Sequence, residues 1–154
     1  MDSHSDWGTA VISAANKGHV DILSLLLEAR ANTNLSDNQG VTALHHATIN
    51  NNVQIARLLL GAGANSSLTD PDGRTPLHCS AARCHNGLIR LMLEAGADWD
   101  TATCHGITAL MSLMLTCEHR CVEMARLLLE VGAKQDLRAK NGLTPLHLGM
   151  EGLT

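Results

Sequence analysis

Two short segments carry the side chains best suited to chemistry. Cys84-His85 and Cys117-Glu118-His119-Arg120-Cys121 offer sulfur, imidazole and carboxylate groups. Zinc gathers four such donors in a tetrahedron at about 2.0–2.3 Å. The spacing argues against a metal here. Cys-x3-Cys is loose, and Cys84 and His85 fall in a slot that recurs along the chain as a turn between helices. The nine histidines divide the same way. His45, His78 and His147 share one recurring slot, and His19 and His85 share another. That recurrence marks structural groups that need hydrogen-bond partners at packed junctions. His4, His46, His105 and His119 fall outside it. The chain contains no G-x-S-x-G elbow, no H-E-x-x-H and no phosphate loop. The expectation is therefore no enzyme, no metal, no cofactor and no small-molecule substrate.

What must position these residues is a repeat. Thr9, Thr42, Thr75 and Thr108 stand 33 residues apart, and each opens a near-copy of one segment. Ile22/Leu25/Leu26, Ile55/Leu58/Leu59, Leu88/Leu91/Met92 and Met124/Leu127/Leu128 follow the i, i+3, i+4 pattern of a buried helical face. Gly63, Gly96 and Gly132 supply the left-handed residue that ends a helix at low cost. Asp37-Asn38-Gln39-Gly40 and Asp70-Pro71-Asp72-Gly73 read as turn tips. The threonine after each turn is placed to cap the next helix through its hydroxyl, and Pro76 and Pro145 follow at the first helical position.

Thr75-Pro76-Leu77-His78, the near-match Thr42-Ala43-Leu44-His45-His46-Ala47 and the Gly-Ala pairs at 63, 96 and 132 carry a resemblance over nearly the whole chain. The chain resembles the ankyrin-repeat family. The resemblance implies an all-α solenoid of stacked helix–turn–helix units with β-turn tips, forming a single domain over 1–154. Its repeats would cover about 4–36, 37–69, 70–102 and 103–138, with a partial fifth over 139–154. It implies a non-catalytic module binding a protein or peptide on a concave surface of turn tips and inner helices. By position, the candidates are Asn38, Gln39 and Val41, then Asp72 and Arg74, then His105 and Ile107 at the tips. Ile49, Asn50 and Arg83 are the inner-helix candidates. Val41, Ile49 and Ile107 stand out as apolar residues at positions that are normally solvated. The alternative is an inhibitor that blocks a kinase or transcription factor directly, or a substrate adaptor within a larger protein.

Departures from the pattern carry their own expectations. Arg30 sits where other repeats place Gly, so a left-handed backbone there costs about 1 kcal/mol. The fourth repeat is longer, 36 residues from Thr108 to Thr144, with the extra residues between Thr116 and Arg120. Leu113 and Met114 replace small residues and are expected to fill core. Trp99 should pack against the next repeat and Trp7 over the first. Asn141 to His147 opens a fifth repeat, which reads as part of a longer array or a face for a partner.

Composition sets the limits. With two Trp and neither Phe nor Tyr, the core must be aliphatic. A net charge of −4 offers no basic field for nucleic acid, and no apolar run approaches a membrane span. Five cysteines without framework spacing read as reduced thiols, pointing to the cytoplasm, the nucleus or both.

Overall fold

Helices of six to nine residues are marginal on their own in water, and this chain is built mostly of them. The computed structural model describes residues 3–116 and 122–151, with side chains over 8–116 and 122–149. Its helices alternate between an inner and an outer layer. The inner layer is α1 (Ser3–Lys17), α3 (Ala43–Ile49), α5 (Pro76–Ala81), α7 (Ala109–Thr116) and α9 (Pro145–Glu151). The outer layer is α2 (Val20–Glu28), α4 (Val53–Gly61), α6 (Asn86–Glu94) and α8 (Val122–Glu130). Each outer helix packs on the inner helix before it, and inner helices stack α1 on α3, α3 on α5, α5 on α7 and α7 on α9. The fold is an all-α repeat solenoid. Among the described residues the only extended pairing is an isolated bridge between Ser36 and Thr42.

The core runs the length of the stack. Leu23, Leu44, Ile55, Leu59, Leu77, Leu88, Ile89, Met92, Leu113, Met124 and Leu128 are fully buried in one aliphatic cluster. Leu113 fills core as expected, and Trp99 packs against the same cluster. A second, smaller core joins Met111, Ala139 and Leu148 where α9 meets α7, with Ile107 and Met114 against it. The side chain of Trp7 lies outside the described residues, as do the extra residues of the fourth repeat.

Local chemistry sets where the helices begin. Thr42 caps α3 and Thr75 caps α5, each accepting from the backbone N–H of the histidine three residues on. Those histidines complete the box in return. The N–H and the hydroxyl of Thr42 donate to Nδ1 of His45 at 3.4 and 2.8 Å, leaving Nε2–H to donate to the Arg74 carbonyl at 2.9 Å. Thr75 and His78 repeat the arrangement, and Nε2 of His78 reaches the Ile107 carbonyl at 3.0 Å. Each imidazole thereby ties its own cap to the tip of the next repeat. Thr108 caps α7 through the Met111 N–H, but methionine has no ring to continue the tie.

Thr9 does not follow the pattern. α1 already begins at Ser3, so Thr9 lies inside a helix and caps nothing. The reason lies at residue 7. Gly40, Gly73 and Gly106 take left-handed φ values of 74°, 78° and 75° at the corresponding tip position, whereas the first repeat has Trp7. A tryptophan resists that conformation, so the helix runs through.

The tips stack closely because they carry glycine. A Cβ on Gly73 would lie 2.9 Å from the Cys104 nitrogen, and one on Gly40 would lie 2.9 Å from Pro71 Cδ. Backbone bonds exploit this approach. The Cys104 N–H donates to the Asp72 carbonyl and the Lys140 N–H to the His105 carbonyl, each at 2.9 Å.

Candidate functional site

The tips and inner-helix ends carry the candidate residues, and their chemistry changes along the stack. At the first tip, Asp37 Oδ1 accepts from the N–H groups of Gln39 and Val41, closing the turn. Asn38 and Gln39 are exposed, and Val41 and Ile49 are half-buried. Burial raises the Asp37 pKa, but a 2.9 Å contact with His46 Nε2 and the two backbone donors outweigh it and hold the carboxyl below its usual range. Asn50 already has partners: its amide donates to the Asn16 carbonyl at 2.9 Å and to the Asn16 side chain at 3.2 Å, clipping the first two repeats together.

Between the tips of the third and fourth repeats the surface opens into a cleft of about 240 Å³. Asp72, Arg74, His105 and Ile107 line it, together with Leu115 and Thr116 from α7. Arg74 and Asp72 form a 3.0 Å ion pair at the rim, both half-exposed. Ile107 and Leu115 give the cleft an apolar floor, and Leu115 is 54% exposed. Four of the ten sequence candidates therefore converge on one feature. Asn38, Gln39, Val41, Ile49 and Asn50 lie in earlier repeats, and Arg83 is exposed without lining the cleft. Val41, Ile49 and Ile107 do not form one patch around it. Ile107 also has a folding reason after all, because its side chain packs on the second core.

Leu115 and Thr116 were missed, although the signal was present. Leu115 occupies the inner-helix position of Asn16, Ile49 and Ala82, one repeat further on. The length change in the fourth repeat falls after it, so simple register would have found it.

Acid–base chemistry has little foothold. Burial lowers the pKa values of His45 and His78, and their hydrogen-bonding capacity is used within the stack. Burial pushes the Cys79 thiol up to about 11, leaving it a poor nucleophile. His85 donates from Nδ1 to the Thr48 carbonyl at 2.9 Å, a structural tie between repeats. His147 bonds its own Thr144 at 2.7 Å, while His19 is exposed and makes no capping bond. Among the described residues no His, Cys, Asp or Glu cluster could hold a metal ion. Cys117 and Cys121, the rest of the zinc reading, lie outside them. Cys84, at a left-handed turn position, is disulfide-bonded, which corrects the expectation of reduced thiols throughout. Among the described residues no helix is long and apolar enough to cross a membrane.

Stacked helix pairs, tips joined edge to edge and a histidine tie between repeats define the fold as a repeat scaffold. The comparison with known families agrees. Residues 1–70 match a family model described as ankyrin repeats in three copies, and residues 72–104 match the ankyrin repeat. The chain belongs to the ankyrin-repeat family, whose repeats are generally non-catalytic protein–protein interaction modules. The helices beyond residue 104 continue the same inner–outer alternation. A comparison with curated protein sequences gave no significant match.

Proposed function

We propose that this chain is a non-catalytic protein-interaction module that grips a partner segment in the cleft between the tips of its third and fourth repeats. The supporting observation is the pairing of an exposed leucine with a charged rim. Leu115 and Ile107 would take an apolar anchor of the partner, and water released from them supplies the main driving force. Asp72 and Arg74 would fix register, since rim charges contribute more to specificity than to affinity. The tips are held by backbone bonds and glycine contacts, so little freedom is lost on binding. In this reading the chain forms one domain of four repeats and a partial fifth, with the boundaries given by the sequence period.

The test compares partner capture by the wild-type chain with capture by Leu115→Lys and Arg74→Glu. Both side chains are exposed, so unchanged melting temperatures would show that the variants fold. Proteins bound by wild type and lost from both variants would support the cleft. Equal capture by all three would overturn it.

A further inference from the structure

The second and fourth repeats fill one pair of positions differently. In the second, Asp37 Oδ1 accepts from two tip N–H groups and Oδ2 meets His46 of α3 at 2.9 Å, so both carboxylate oxygens are engaged. In the fourth, the same two positions carry Thr103 and Ser112. The Thr103 hydroxyl takes over the turn, accepting from the N–H groups of His105 and Ile107 at 3.3 and 3.1 Å. Those bonds use its lone pairs, and its own proton is left over.

Ser112 is the more telling of the two. Hydroxyls inside helices commonly bond back along the chain. Ser24 donates to the Val20 carbonyl, Thr48 to that of His45, Ser80 to that of Leu77 and Thr116 to that of Ser112, all at 2.8–3.0 Å. Ser112 is only 8% exposed, yet among the described residues its hydroxyl has no hydrogen-bond partner. Its oxygen must reach the cleft that it lines, because among the described residues every side-chain oxygen or nitrogen shut off from solvent is bonded. A hydroxyl held this deep without a partner calls for an explanation.

Arg74 adds a guanidinium at the rim, where Nη2 pairs with Asp72 and further N–H groups of the fork remain. Thr103 and Arg74 can only donate, and Ser112 can do so. The cleft therefore calls for an acceptor, and an ionised one forms the shorter, stronger bonds. The surrounding charges allow an anion. Asp72 is offset by Arg74, and Asp70 does not line the cleft and turns Oδ1 to the N–H groups of Asp72 and Arg74. Arg83 follows Ala82 of the cleft wall and has no ion pair among the described residues.

We infer that the cleft receives a side-chain carboxylate of its partner, an Asp or Glu set beside the aliphatic residue that packs on Ile107 and Leu115. Thr103, Ser112 and Arg74 donate to it, restoring at this tip the anion that Asp37 supplies in the second repeat. The inference rests on the cleft proposed above and adds the chemistry of its occupant.

The test pans the full chain against a library of random peptides fused at their C-termini, so that only side chains present carboxylates. Enriched peptides should share an Asp or Glu beside Leu, Ile or Met. Replacing that acid by its amide in a synthetic peptide should weaken binding about tenfold or more, as should Ser112→Ala in the chain. Ser112→Ala should leave the melting temperature unchanged or raised, since the hydroxyl bonds nothing in the fold. Leu115→Lys separates the two readings. Peptides that bind Leu115→Lys as well as wild type lie outside the cleft and overturn both. Peptides lost from Leu115→Lys keep the cleft, and they overturn the carboxylate alone if they share no acid, tolerate its amide or bind Ser112→Ala like wild type. A lowered melting temperature in Ser112→Ala would make the hydroxyl a structural group and overturn the inference, as would a library that yields no binder.

Discussion

Nε2 of His78 lies 3.0 Å from the backbone carbonyl of Ile107, so a buried imidazole of the third repeat holds the floor of the cleft in the fourth. His45 holds the Arg74 carbonyl in the same way one repeat earlier. Two residues that line the candidate site are thus positioned by buried histidines, and His78 itself forms part of the cleft wall.

This arrangement makes stability depend on pH. Both imidazoles accept at Nδ1 and donate from Nε2, which requires the neutral form, and burial lowers their pKa values from 6.5. The unfolded chain therefore binds more protons than the folded one just below pH 6.5, so stability rises with pH across that range. The full contribution should be present above pH 6.5 and be lost as pH falls towards the depressed folded values. Thermal melts between about pH 5 and 8 should show this slope, reduced in His45→Gln and again in the double variant with His78→Gln.

Arg30 takes a φ of 57°, where Gly63, Gly96 and Gly132 take the same left-handed turn without a side chain. Arg30→Gly should stabilise the chain by about 0.5–1 kcal/mol, the relief of left-handed strain less the added freedom of the unfolded chain. A melting temperature raised by a few degrees would show it; no change or a fall would refute it.

Gly73→Ala should act in the opposite direction. It places a Cβ 2.9 Å from the Cys104 backbone at a φ of 78°. Strain and displaced backbone together should cost about 1–3 kcal/mol, read from a chemical denaturation midpoint. Partner binding should weaken as well, since the Asp72–Cys104 bond joining the two tips beside the cleft is disturbed.

Arg74→Ala separates the fold from the site. The side chain is half-exposed in a surface ion pair, while the tie to His45 uses only its backbone carbonyl. Stability should change by less than about 0.5 kcal/mol. Partner affinity should fall, and titration calorimetry with a captured partner would measure the loss.

Much of this was legible in the sequence because a repeat states its local rules several times. The 33-residue period, the capping threonines, the left-handed glycines and the apolar triads of the later repeats each follow from propensities that act within one turn of chain. The first triad does not hold, since Ile22 and Leu25 are exposed and Leu23 is buried in α2 instead. Even the Arg30 exception could be read, since its three counterparts are glycine. Other features were decided only by packing across repeats. Trp7 in place of a tip glycine let α1 run through Thr9, an outcome of competition between turn and helix that the threonine period concealed. Ile107 proved to be both core and cleft, Asn50 proved to be a clip to Asn16, and Leu115 emerged as the exposed floor residue. Exposure depends on which helix lies opposite, and that neighbour lies outside the residue's own helix. Leu44 and Leu146 share a motif, but one is buried beneath an outer helix and the other is exposed. Local chemistry writes the repeat; only the stack decides which copy of a residue is left for a partner.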